Sequence, residues 1–170
     1  MSDDIKAEAN RAFLENFTSY DRHTIDDEGL ITVHGSTKLK ETFRDGQLPC
    51  RFREVTGDFE IGFSPLRTLL GSPQQCGGKF FAPNCRLETL EGAPRRCRHF
   101  WVLGNYLTSL RGGPDRVEGD YLCHSNPLET LEGIASYIGA QFRCDITPDL
   151  GMLRVLITDP AEVYDLALLG

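Results

Sequence analysis

Histidine and cysteine, the residue types that most often carry out chemistry in proteins, are present in this chain but are not grouped for it. The 4 histidines and 6 cysteines are scattered along the sequence. His124 directly follows Cys123, but adjacent residues of a strand point to opposite sides, so this pair is poorly placed to hold one metal ion. The sequence has no C-x-x-C zinc spacing and no G-x-x-x-x-G-K-[ST] phosphate loop. We therefore predict no catalytic residues, no metal, no cofactor and no enzymatic activity.

Three arginines in one short stretch are the best candidates for binding an anion. They are Arg95, Arg96 and Arg98. Guanidinium groups bind phosphates and carboxylates through paired hydrogen bonds, so a nucleotide or an acidic partner would fit. The alternative, which we favour, is a solvated turn whose charges pair with nearby acidic residues, because such surface pairs are common. The acidic residues in question are Glu91, Asp115 and Glu118.

A repeat of 20 or 21 residues must position these side chains. Four successive lines of the repeat begin at Leu66, Leu87, Leu107 and Leu128. Each line has a second leucine three residues on, an apolar residue in mid-line, and then two apolar residues separated by one variable residue. That last pattern predicts a short strand with both apolar side chains on one face. The predicted pairs are Phe80 and Ala82, Trp101 and Leu103, Tyr121 and Cys123, and Phe142 and Cys144. A fixed period of this length indicates stacked coils that share one core.

Polar residues and cysteines take fixed places in the repeat. Asparagines follow three of the predicted strands, where the side chain can hydrogen-bond the backbone of a turn; they are Asn84, Asn105 and Asn126. Four cysteines lie in the apolar columns, so we predict that they are buried and reduced. Cys50 and Cys85 lie outside the columns. We therefore expect these two thiols to be the more reactive ones.

The strand residues that point away from the core are the main candidates for binding. An apolar cluster with a charged rim is typical of a protein interface. The predicted partner-binding residues are an apolar centre of Phe81, Phe100, Val102 and Leu122 and a rim that includes Glu60 and Arg143. Three occupants stay open for this surface: an external protein, a second copy of the chain, and the N-terminal helix.

The pattern L-x-x-L-x-G-x-P-x-x-V-x-G-x-F-x-C-x-x-N resembles a leucine-rich repeat of the short bacterial class. It resembles more closely the small repeat proteins of tailed phages and prophages, and residues 107–110 (LTSL) and 119–123 (GDYLC) carry that resemblance best. The resemblance extends from about residue 28 to the C-terminus. It implies a protein-binding module whose partner is an intracellular bacterial host or defence protein that it inhibits.

The fold class predicted from these patterns is a β-rich, leucine-rich-repeat-like solenoid within a single domain. Residues 1–20 are expected to form a helical N-terminal cap, because Ile5, Ala9, Phe13 and Phe17 have helical spacing. Residues 28–144 form the repeats. Residues 145–170, which are rich in apolar side chains, are expected to form a C-terminal cap.

Composition narrows the function further. The net charge is −7 and the isoelectric point about 5.1, whereas proteins that bind nucleic acids or membrane surfaces are usually basic. We therefore predict that this protein binds neither nucleic acid nor a membrane. The sequence lacks an apolar run of the length that crosses a membrane, and its N-terminus is polar, so we predict a cytoplasmic protein. The alternatives to a protein-binding module are a nucleotide-binding, sponge-like module that uses the arginines, a structural homodimer, and an acidic mimic of nucleic acid.

Overall fold

The computed structural model describes residues 2–19, 22–40 and 46–146. These residues form a β-rich solenoid of about five turns, preceded by an N-terminal helix. The prediction of a helix up to residue 20 is wrong at its end, because the helix stops at Asn16 and Phe17–Ser19 form a strand. The elements are α1 (Ser2–Asn16), β1 (Phe17–Ser19), β2 (Arg22–Ile25), β3 (Ile31–His34), β4 (Thr37–Leu39), β5 (Phe52–Val55), β6 (Phe59–Glu60), β7 (Gln75–Phe81), β8 (Arg96–Trp101), β9 (Arg116–Val117), β10 (Tyr121–Leu122), β11 (Tyr137–Ile138) and β12 (Phe142–Arg143). Residues 147–170 of the predicted C-terminal cap (145–170) lie outside the described residues.

Each coil of the solenoid crosses two stacks of parallel strands. The first stack contains β3, β5, the first halves of β7 and β8, and then β9 and β11. The second stack contains β4, β6, the second halves of β7 and β8, and then β10 and β12. In the first stack Val55, Cys76, Cys97, Val117 and Ile138 lie in register. The apolar columns therefore stack on themselves, as the repeat predicts.

One predicted register is wrong, and it concerns the second strand stack. Phe80 pairs with Phe100, not with Trp101. Phe100 follows the mid-line cysteine of its coil by three residues, whereas Phe80 follows Cys76 by four. A register shift between Cys76 and Lys79 absorbs the difference. Because strand side chains alternate, the one-residue slip exchanges the two faces of this strand, so that Trp101 points outward.

Stacked aromatic rings form the centre of the core. Phe59, Phe80, Phe100, Tyr121 and Phe142 follow one another with ring centroids 5.1–5.6 Å apart. The first four are completely buried. Such ring pairs contribute about 0.5–1.5 kcal/mol each beyond the burial of their area. This column fixes the position of every coil and therefore the direction of the residues on either side of it.

The N-terminal helix packs on the first coil. Phe13 of α1 is fully buried, with its ring centroid 5.9 Å from that of Phe52 and 4.5 Å from that of His23. Ile5, which the helical spacing places on the same face, is 40% exposed and rests near Gly29. The described part of the chain contains no helix with the length and apolar composition needed to span a membrane.

Buried asparagines hold the corner that follows the second strand stack. Asn105 Oδ1 accepts hydrogen bonds from the backbone N–H groups of Cys85 and Leu87, and its Nδ2 donates to the carbonyl oxygens of Ala82 and Val102, all at 2.8–3.0 Å. These bonds satisfy buried backbone groups of two successive coils.

Asn126 repeats this arrangement, and Asn84 does not. Asn126 Nδ2 donates to Val102 and Cys123, as the prediction requires. Asn84 lies one position earlier in its coil, is exposed and has a φ of 53°. Cys85 occupies the corresponding place and donates its thiol to the carbonyl of Ile61. The prediction is therefore confirmed for Asn105 and Asn126 and wrong for Asn84.

Candidate protein-binding face

The outward side chains of the second strand stack lie in three parallel rows, which together are termed the open face. The first row is Asp58, Lys79, His99, Asp120 and Gln141. The middle row is Lys38, Glu60, Phe81, Trp101, Leu122 and Arg143. The third row, two residues further along each coil, is Gly62, Leu103, His124 and Asp145, with Pro83 buried between Gly62 and Leu103. Consecutive residues of a row belong to consecutive coils.

The middle row has an apolar centre. Phe81, Trp101 and Leu122 are half-buried although they point outward. The rings of Phe81 and Trp101 meet edge to face with their centroids 5.8 Å apart. The indole Nε1–H of Trp101 is buried and has no hydrogen-bond partner among the described residues. These three adjacent side chains form a continuous apolar surface.

A lysine and a glutamate border this centre on the side of the earlier coils. The Lys79 Nζ atom lies 4.8 Å from the centroid of Phe81 and 5.3 Å from that of Trp101, which is the geometry of a cation–π contact. The same atom lies 3.3 Å from Glu60 Oε1, and Glu60 Oε2 lies 3.7 Å from Lys38 Nζ. The charges at this rim are therefore organised around the two aromatic rings.

The first row also holds the coils together. Asp58 Oδ1 accepts the backbone N–H of Lys79 at 2.7 Å, and Asp120 Oδ1 accepts that of Gln141 at 3.2 Å. His99 Nδ1 accepts the backbone N–H of Asp120 at 3.0 Å. Each bond joins one coil to the next. His99 and Asp120 lie close enough to form an acid–base pair, but this bond uses the Nδ1 lone pair of the histidine for structure.

The far rim carries an exposed arginine. Arg143 is exposed and makes no ion pair with any described residue. The neighbouring His124 has its pKa lowered by burial and, to a lesser extent, by the charge of Arg143. The middle row thus has Glu60, flanked by Lys38 and Lys79, before its apolar centre. After the centre it has Arg143, which forms no ion pair within the described residues.

The structure places four of the six predicted partner-binding residues on the open face and buries the other two. Phe81, Leu122, Glu60 and Arg143 lie on the open face. Phe100 and Val102 are fully buried in the core, so their assignment to the surface was wrong.

Trp101 is the residue that the sequence prediction missed. A second spacing in the sequence points to it: Phe59, Phe80, Phe100 and Tyr121 each precede the next line-initial leucine by seven residues. Counting seven residues back from Leu107 therefore identifies Phe100 as the core aromatic, which is the observed register. Counting four residues forward from Cys97 identifies Trp101, which is wrong.

The three arginines lie on the first strand stack, away from the open face. Arg95 Nη1 lies 3.3 Å from Asp115 Oδ2, as the prediction of a solvated turn requires. Arg96 and Arg98 are exposed and form no ion pair within the described residues. They border a shallow notch of about 440 Å³ above Gly77.

The cysteine thiols are poorly suited to react. Cys50 and Cys85 are buried, and burial raises the pKa of the first to about 12 and of the second to about 11. The expectation that these two are the reactive cysteines is therefore wrong, because a thiol reacts as its thiolate. In the described ranges, no group of three or more histidine, cysteine, aspartate or glutamate side chains could hold a metal ion.

Comparisons of the chain with protein-family models, with curated proteins and with solved structures gave no match. The resemblance to phage leucine-rich-repeat proteins therefore stays a prediction.

Proposed function

We propose that this protein is a non-enzymatic scaffold that binds another protein through the open face. The observation that carries the proposal is the outward cluster of Phe81, Trp101 and Leu122 within a charged rim. Protein interfaces have this composition, and tryptophan and arginine are enriched among the residues that contribute most to binding. Trp101 and Arg143 are of these types, and both have polar groups that lack partners in the described structure.

The position of the N-terminal helix argues against the helix as the occupant of the open face. The helix lies against the first coil, where its one fully buried residue, Phe13, contacts Phe17, His23 and Phe52. Phe81 and Trp101 lie on later coils, whereas the main contacts of α1 are with β1 and β2. Of the three occupants considered from the sequence, the helix is therefore disfavoured.

The resemblance to phage repeat proteins adds a narrower proposal about the partner. A bacterial host or defence protein that is inhibited on binding would fit a small, non-enzymatic scaffold. The wider proposal does not depend on this, because repeat scaffolds serve many functions.

A second candidate function rests on the two arginines that form no ion pair within the described residues. Arg96 and Arg98 project from the same strand beside a notch, and together they could bind a phosphate group of a nucleotide. Thermal stabilisation of the protein by nucleotides, lost when both arginines are replaced by glutamine, would support this function.

The test of the main proposal is affinity capture from bacterial lysate with the tagged full-length chain, read by mass spectrometry. The double variant Phe81→Asp with Trp101→Asp places two charges in the apolar centre and should lose the captured protein. The matched control is Tyr106→Asp, which changes an aromatic residue that is 59% exposed outside the open face. Circular dichroism establishes that each variant is folded. Capture of the same protein by the folded double variant and by the wild type would exclude the open face.

A further inference from the structure

We propose that the open face binds a second copy of this chain, with the two solenoid axes antiparallel and a twofold axis at Trp101. The proposal rests on the proposed function, because it names the protein that the open face binds. Its basis is the order of the side chains along the rows. When a row from the coil of Glu60 onward is laid against the same row in reverse, acidic residues face basic or neutral ones and apolar residues face apolar ones.

The middle row shows this complementarity most clearly. From Glu60 to the later coils it reads Glu60, Phe81, Trp101, Leu122, Arg143: acid, apolar, tryptophan, apolar, base. Lys38 precedes Glu60 and, after the rotation, lies beyond Arg143 of the second copy. A second copy turned about Trp101 presents the same row in reverse. Glu60 then faces Arg143 of the second copy, Phe81 faces its Leu122, and the two indoles meet at the centre. Symmetry forms each unlike pair twice.

The spacing of the strands makes this alignment geometrically consistent. Neighbouring parallel strands lie about 4.8 Å apart. Glu60 is two strands before Trp101 and Arg143 is two strands after it. Both charges are therefore about 10 Å from the axis, and the rotation superimposes one on the position of the other.

The first row gives the same result independently. In reverse order Lys79 faces Asp120 of the second copy, Asp58 faces Gln141, and His99 lies on the axis. Lys79 is thus brought to a carboxylate in addition to its own contact with Glu60 at 3.3 Å. No two like charges are opposed in this row.

The third row is compatible with the arrangement. Leu103 meets Leu103 of the second copy, and Gly62 faces its Asp145. Gly62 has no side chain to meet the carboxylate, and Leu103 extends the apolar centre beside Trp101.

The alternative twofold arrangement, with parallel axes, is disfavoured by the same charges. It would place Glu60 opposite Glu60 and Arg143 opposite Arg143 of the second copy. Like charges that face each other across an interface oppose association. The charges of the middle row therefore select the antiparallel orientation.

The size of the face predicts a weak dimer. Five coils and three rows cover about 19 Å by 13 Å. That is well below the roughly 800 Å² that each partner buries in a standard interface. We therefore expect association at concentrations of about 10 μM or higher.

Sedimentation equilibrium of the full-length chain, from about 1 μM to about 500 μM, tests the proposal. The wild type should pass from monomer to dimer across this range. Arg143→Glu should weaken the dimer at least tenfold, because two carboxylates then face each other. Glu60→Arg should do the same, and the combined reversal should recover most of the loss. Arg98→Glu, the same charge change on an exposed arginine elsewhere, should leave the mass unchanged.

Three results would overturn the dimer: a wild type that stays monomeric at every concentration, a folded Arg143→Glu variant that associates as the wild type does, or larger species without a dimer endpoint. Failure of the dimer is distinguishable from failure of the proposed function. A monomeric wild type that still captures a lysate protein, and loses it in the Phe81 and Trp101 double variant, keeps the binding face and rejects only the second copy.

Discussion

Asn105 joins two successive coils at the corner after the second strand stack. Its side chain satisfies two backbone N–H groups and two carbonyls of successive coils, and only 3% of the residue is exposed. Asn105→Ala should lower the free energy of unfolding by about 3 kcal/mol, because each buried polar group left without a partner costs about 1–3 kcal/mol. Urea denaturation followed by circular dichroism measures the change.

Asn84 provides the control for this prediction. It is exposed and has a left-handed backbone conformation that glycine adopts readily. Asn84→Gly should therefore change the stability by less than about 1 kcal/mol. Equal losses for the two variants would contradict the assignment of the structural hydrogen bonds to Asn105.

Residue types alone could predict part of the site. Glu60, Phe81, Leu122 and Arg143 were placed correctly because their coils keep the common spacing. The buried asparagines were found from their polarity and position. The structural role of His99 could not be predicted from the sequence, because it depends on the distance of Nδ1 from a backbone N–H in the next coil.

At the scale of elements, the junction between α1 and β2 contains a histidine that makes stability depend on pH. His23 packs against Phe13, and its Nε2–H donates to Asn10 Oδ1 at 2.7 Å. Burial lowers the pKa of His23 below its usual value. The unfolded chain therefore takes up a proton first, near pH 6.5, and folding stability decreases as the pH falls below that value.

Thermal melts between about pH 7.5 and pH 5 should show this decrease. His23→Gln removes the titrating group and keeps a donor near the position of Nε2, so its melting temperature should fall less over the same range. His124, whose pKa is also lowered, accounts for a residual slope in the variant. An identical slope in the wild type and in His23→Gln would show that His23 does not contribute.

The strand β8 shows where the sequence is ambiguous. The distance from the mid-line residue to the core aromatic is three residues in this coil and four in its neighbours. The backbone absorbs the difference in an irregular register between Cys76 and Lys79. Alternation then places Phe100 inside and Trp101 outside, and no local property of either residue reveals this.

At the scale of the whole molecule, the solenoid was predictable because the repeat is redundant. Every apolar column is represented in several lines, so a one-residue error in the predicted register of one line does not change the predicted fold. The binding surface has no such redundancy, since its centre consists of one side chain per coil. The same slip therefore left the predicted fold intact and misplaced two of the four apolar residues assigned to the surface.

The open face combines apolar and charged groups on one surface, and we propose that this surface binds a protein. Its row order accommodates a second copy, and its centre contains the only tryptophan of the chain, Trp101. Indole emission therefore reports directly on whether this face is occupied. The arginines of the first strand stack lie elsewhere and would serve a separate ligand.

Photo-crosslinking from the open face tests the central claim most directly. The full-length chain, produced in cells with p-benzoylphenylalanine in place of Leu122, is irradiated, and its adducts are identified by mass spectrometry. The control has the same amino acid in place of Tyr106. We predict a protein adduct from position 122 and none from position 106, and the mass of a second copy would identify the dimer. No adduct from position 122, or the same adduct from both positions, would contradict protein binding by the open face.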